Sequence, residues 1–155
     1  MMKSRITHIH HKGKLSGFTL LEVLITLVIL AIGLLGLAGL QAIGLQQNHS
    51  AYQRTQATLL AYDIADRMRA NIDAIDNYRT AVPQSKPACL TSPGCASIVM
   101  AQHDLYEWDL ALKDALPTPV AAITNGAAGT YLIRITWLDD RKNNTNTQFD
   151  MSFLP

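Results

Sequence analysis

Glu22 is a lone carboxylate set at the front of a long apolar run: Val23 to Leu40 carry no charge, and Thr26 is the only polar side chain among them. A carboxylate near the hydrocarbon edge of a bilayer costs about 3 kcal/mol unless it reaches water or a partner. Glu22 therefore either snorkels to the headgroups or pairs with a cation. Cys89 and Cys95 bracket Leu-Thr-Ser-Pro-Gly. Pro93-Gly94 suits a type II turn that brings the two thiols together. The spacing is not the C-x-x-C of a redox pair, and two cysteines alone do not make a zinc site, so the expectation is a structural disulfide. His8, His10 and His11 are metal-ligand types, but they stand on a short basic segment and are read as chance histidines. His103, Asp104 and Glu107 are acid–base types on one helical stretch. No nucleophile motif accompanies them, and they are read as surface residues. Asp63, Asp66, Asp73 and Asp76 are dispersed and read as a solvated face. No catalytic set, metal site or cofactor follows from these residues.

The elements that must position them begin with the apolar run. Its length is close to the roughly 20 residues that a helix needs to cross a bilayer, and a helix satisfies its own backbone there. Lys3, Arg5, Lys12 and Lys14 precede it, and the next basic residue after it is Arg54. That asymmetry predicts a cytoplasmic N-terminus and an exported remainder. Export also places the cysteines where disulfides persist. The net charge is +1, and the first 17 residues hold +4 of it, leaving −3 on the rest. A nucleic-acid surface is thus not indicated. Removal of the whole apolar segment as a secretory signal is a rival, since Gly36-Leu37-Ala38 and Ala42-Ile43-Gly44 fit small-x-small sites. The carboxylate of Glu22 argues against it. Gly33, Gly36 and Gly39 suit close helix packing in a membrane, or a helix that loosens on leaving it.

From Gln46 the chain turns polar without a turn signal, so the membrane helix is expected to continue as an amphipathic one. Leu60, Ile64, Met68, Ile72 and Ile75 form its stripe, with Tyr52 earlier. Residues 77–95 read as loop. Ala96 to Leu116 read as a second helix, with Ile98, Ala101, Leu105, Trp108, Leu112 and Ala115 on its apolar stripe and Pro117 ending it. The period then changes to two. Tyr131, Ile133, Ile135 and Trp137 share one strand face, Phe149, Met151 and Phe153 another, and Asp139 to Asn146 link them as a hairpin. Two strands are not stable alone, so they should lie on the amphipathic helix. The predicted class is α+β: a long N-terminal helix, half membrane and half amphipathic, on a small antiparallel sheet. Asn48-His49-Ser50 and Asn143-Asn144-Thr145 match the glycosylation sequon, a match that chance often produces.

A basic leader, Gly17-Phe18-Thr19-Leu20-Leu21-Glu22 and a long apolar helix together resemble the class III leader of type IV pilins and pseudopilins. The resemblance implies a pilin-like fold, a leader over residues 1–17 removed by a prepilin peptidase after Gly17, and N-methylation of the new terminus, Phe18. It implies a transmembrane and filament-core helix over 18–45 and an exported head over 46–155. The cut would leave an amine on Phe18, and pairing of one subunit's amine with another's Glu22 would offset much of the cost of burying that carboxylate. The resemblance gives Glu22 the same role, registering an incoming subunit.

The short cysteine loop, Asp104-Leu105-Tyr106-Glu107-Trp108, Leu116-Pro117 and the Tyr-x-Ile-x-Ile-x-Trp strand are similar to PilV-type minor pilins, also called type IV pilus modification proteins. This resemblance implies a low-abundance subunit that helps start or support the pilus, with roles in twitching motility and adhesion. Its implied partners are the prepilin peptidase, other minor and major pilins and the inner-membrane assembly machinery, and its location is the inner membrane, then the pilus. Three alternatives stand beside it: a type II secretion pseudopilin, an uncut signal-anchored binding domain, and a membrane-anchored exported enzyme. The last finds no G-x-S-x-G, P-loop or H-E-x-x-H to support it.

Overall fold

The computed structural model describes residues 17–140 and 145–155. The basic residues and the three histidines of the expected leader, and residues 141–144 of the expected hairpin link, lie outside these residues. The chain divides into two compact units at Gly44/Leu45.

α1 runs unbroken from Leu20 to Ala70. In its first unit, up to Gly44, almost every side chain is exposed. This stretch holds the window long and apolar enough to cross a membrane, with a mean hydropathy of 2.8. No Pro interrupts α1, so glycines that would weaken an aqueous helix by about 1 kcal/mol each are carried within it. Nothing lies within 4 Å of a Cβ built at Gly33, Gly36 or Gly39.

In the second unit, residues 45–70 of α1 bury Gln53, Ala57, Ala61, Ile64, Ala65 and Met68. They pack against α2 (Ser97–Ala115) and a three-stranded antiparallel sheet in the order β1-β2-β3: β1 Val120–Asn125, β2 Tyr131–Asp140 and β3 Thr145–Phe153. β2 pairs with β3 from Tyr131↔Phe153 to Asp140↔Thr145, with an irregularity between Leu138 and Asp140. Ile133, Ile135 and Trp137 are fully or almost fully buried at the centre of the layer, as the alternation of β2 predicts. Trp137 Nε1–H donates to Gln53 Oε1 at 3.1 Å, and Trp108 Nε1–H donates to the Leu60 carbonyl at 2.9 Å. Each indole of the core thus satisfies its polar handle on α1.

Several expectations are corrected. The sheet has a third strand, β1, which the sequence reading did not contain. Its register, Ile123↔Ile133 and Ala121↔Ile135, places Ile123 in the core. The amphipathic stripe is shifted: Tyr52 and Ile72 are 58% and 51% exposed. Alanines line much of the buried face instead, because small side chains let a helix sit close on a sheet. α1 ends at Ala70, and a 3₁₀ segment, Ile72–Arg79, follows and buries Ala74 and Tyr78. Ile98 stands in the first turn of α2 and is 55% exposed, while the remaining stripe of that helix is buried or half-buried. His103 and Asp104, read as surface residues, are buried. The hydrogen-bonded turn between the cysteines falls one residue earlier than read: the Gly94 N–H donates to the Thr91 carbonyl across Ser92–Pro93, whose bond is cis.

Candidate functional site

At the N-terminus, Gly17, Phe18 and Thr19 are not helical and α1 begins at Leu20. Thr19 explains the boundary. Its Oγ1 accepts the Glu22 backbone N–H at 3.2 Å, satisfying one of the amides that a helix start leaves without a partner. Threonine followed three residues later by glutamate is the capping-box pattern. That signal was present in the sequence and was not used in its reading. Phe18 and Val23 occupy the staple positions on either side of the cap, and both line a shallow groove with Glu22, Thr26 and Leu27. Thr26 Oγ1 donates to the Glu22 carbonyl at 2.7 Å. The Gly17–Phe18 peptide therefore lies in non-helical backbone just ahead of a capped helix, and Glu22 sits in its first turn.

The head holds a polar cluster where α1 meets α2. Arg67 is its hub: Nε donates to Asp63 at 3.0 Å, and Nη1 reaches Glu107 at 2.7 Å and Asp104 at 3.3 Å. Burial alone would lower the guanidinium pKa, but Glu107, Asp63 and Asp104 outweigh it and raise it. The Arg67 hydrogen bond holds Glu107 below the usual carboxylate range, against burial acting the other way. The Tyr78 phenol donates to Asp104, and burial first and that bond second push its pKa well up. Asn71 Nδ2 ties Tyr78 Oη at 3.2 Å to the Ser97 carbonyl at 2.8 Å. His103 Nδ1 accepts the Lys86 backbone N–H at 3.2 Å, which anchors the segment leading into the cysteine loop. That bond assigns the proton of the neutral ring to Nε2, which faces Glu107 at 3.5 Å. Cys89 and Cys95 are joined, closing that loop.

Of the side chains singled out in the sequence, His103, Asp104 and Glu107 come together, but around Arg67 and Tyr78. A half-buried arginine with three carboxylates and a protonated phenol forms a structural clamp: each acid is occupied by a donor, and no nucleophile stands among them. Asp63, Asp66, Asp73 and Asp76 remain exposed, as read. Among the described residues no group of three His, Cys, Asp or Glu could hold a metal. Arg67 and Tyr78 were missed because their partners lie far apart in sequence.

The prokaryotic N-terminal methylation motif matches residues 14–38, a span that includes Gly17, Phe18 and Glu22. Directly after it, the model of the Tt1218-like type IV pilins matches residues 39–106. The two matches run without a gap from residue 14 into α2. The chain belongs to the type IV pilin family. No curated protein and no solved structure matches it. Type IV pilins are structural subunits rather than enzymes, in keeping with the clamp-like use of the head's acids and bases. The methylation motif marks this pilin for processing by a prepilin peptidase and for assembly with other pilins. The apolar first half of α1 suits membrane anchoring before that assembly.

Proposed function

We propose that this pilin is a minor pilin of the PilV type, a low-abundance subunit that helps initiate or support type IV pilus assembly and contributes to twitching motility and adhesion. The observation that carries the reading is the methylation motif over residues 14–38 continued by the pilin match over 39–106. Cleavage falls between Gly17 and Phe18, and the leader of residues 1–17 is lost. Phe18 becomes the methylated terminus. Residues 18–45 serve as membrane and then filament-core helix, and residues 46–155 as the exported head. The non-helical backbone at Gly17–Thr19 supports this, because a peptidase needs a strand-like rather than a helical substrate bond. The amine of Phe18 on one subunit pairs with Glu22 of a neighbour and sets the register of addition. Before assembly the chain sits in the inner membrane with its N-terminus cytoplasmic.

The test is a deletion strain complemented with the wild-type chain or with Glu22→Ala. Loss of surface pili and twitching, with type II secretion intact and no rescue by Glu22→Ala, is expected. Normal piliation with lost secretion would make the protein a secretion pseudopilin instead.

A further inference from the structure

Residues 82–86 run between two fixed points in the head. Before them, the Ala81 N–H donates to the Asn77 carbonyl at 2.7 Å. After them, the Cys89 N–H donates to the Lys86 carbonyl at 2.9 Å, beside the disulfide. Two amides within the segment tie it to α2. The Gln84 N–H donates to the Gln102 carbonyl at 3.0 Å, and the Lys86 N–H donates to His103 Nδ1 at 3.2 Å. The second tie therefore ends on a ring that can take up a proton. Histidine is the side chain that ordinarily changes charge between about pH 5 and pH 8.

The ring is 4% exposed, so water does not replace a partner that it lacks. Nδ1 accepts from Lys86, so the neutral ring carries its proton on Nε2. That Nε2 has no hydrogen-bond partner among the described residues, and the nearest acceptor, Glu107 Oε1, stands at 3.5 Å. A buried donor without a partner calls for an explanation. The other neutral tautomer would turn an N–H toward the Lys86 N–H and a lone pair toward the Glu107 carboxylate, which is worse on both sides. The charged ring gains an ion pair with Glu107 through Nε2, but its new Nδ1–H opposes the Lys86 N–H. Each protonation state thus satisfies one ring nitrogen at the expense of the other.

The charged groups around the ring come from three elements. On α2, Glu107 faces it, and Asp104 is held by Tyr78 and Arg67. On α1, Arg67 takes Glu107 Oε2 and leaves Oε1 to the histidine. The Lys86 ammonium belongs to the segment itself. Glu107 favours a charge on the ring, while Arg67 and Lys86 oppose it. We infer that His103 is a proton-operated latch: neutral, it holds residues 82–86 on α2; protonated, it turns to Glu107 and lets them go. The disulfide and the Ala81 bond confine the movement to this short segment, which carries the exposed Val82. The latch lies wholly in the head and does not depend on cleavage at Phe18.

The test is amide exchange at Lys86 in the full chain in detergent, with the disulfide intact and lysine isotope-labelled for NMR. Protection is taken against the unfolded rate at the same pH, which removes the intrinsic pH dependence of exchange. The Lys113 amide, inside α2, is the internal reference. From about pH 8 to about pH 5, protection of Lys86 should fall about fivefold, the worth of one hydrogen bond, while that of Lys113 stays level. His103→Asn puts an amide oxygen where Nδ1 stands and takes up no proton in this range, so Lys86 should stay protected throughout. Glu107→Gln removes the charge that favours the protonated ring, so the fall should come at lower pH. Level protection of Lys86 in the wild type, or a parallel fall at Lys113, overturns the inference. So does an equal fall in His103→Asn. Should that variant fail to fold, Glu107→Gln decides, and a fall at the unshifted pH counts against the latch.

Discussion

Replacing Asp104 with alanine should be the most damaging single change to the polar clamp of the head. Its side chain is 11% exposed and accepts from both the Tyr78 phenol and Arg67 Nη1. Hydrogen bonds to a charged group contribute about 1.5–3 kcal/mol, and a buried donor left short of its partner adds a further desolvation cost. Tyr78 keeps its contacts with Asn71 and the Arg67 carbonyl, which limits that second cost. The sum is about 3 kcal/mol, or more than about 10 °C in Tm for a domain of this size. Asp63→Ala is the internal control. Asp63 bonds the same arginine at 3.0 Å but is 44% exposed, so its loss should cost less than about 0.5 kcal/mol. Asp104→Asn keeps the shape and an acceptor for Tyr78, and should fall between them at about 1–2 kcal/mol. The assay is thermal unfolding of the full chain in detergent followed by tryptophan fluorescence, since Trp108 and Trp137 are both buried in the head. A shift for Asp104→Ala no larger than that for Asp63→Ala would refute the reasoning.

Other expectations can be read from the same unfolding curves. Ala61→Leu inserts bulk where α1 has no room, with Ala61 at 0% exposure, and should cost about 1–3 kcal/mol, while Leu59→Ala at 58% exposure should be near neutral. Cys89→Ser together with Cys95→Ser opens a short loop and should cost roughly 2–2.5 kcal/mol by chain entropy, without loss of the sheet by circular dichroism. Because Arg67 depresses Glu107, that carboxylate adds stability above the ordinary Glu range near about pH 4.3 and loses it as pH falls through its lower folded value. Tm should therefore decline below about pH 4.3 in the wild type, and Glu107→Gln should decline less.

The parts of the fold legible in the sequence are those fixed by local periodicity. The apolar run, the continuation of α1 past Gln46, the bounds of α2 and the alternation of β2 and β3 all follow from patterns within one element. β1 escaped notice because Val120-Ala121-Ala122-Ile123 is apolar throughout and shows no alternation of polarity, and because Pro117 and Pro119 just before it suggest loop. The alanine floor of α1 escaped because a stripe search weighs large side chains, whereas the helix–sheet gap rewards small ones. At the site, the capping Thr19 was readable from its spacing to Glu22. The arrangement of His103 and Asp104 was not, since their burial depends on Arg67, Tyr78 and Lys86, which fall far away in sequence and meet them only once α1, α2 and the cysteine loop have packed.

The central claim is that this chain enters a filament through a new N-terminus at Phe18, and intact mass with terminal peptide sequencing of the native membrane form tests it most directly. The account predicts a chain that begins with N-methylated Phe18 and lacks residues 1–17. A chain that begins at Met1, or one that begins near Gly39 or Leu45, would contradict it.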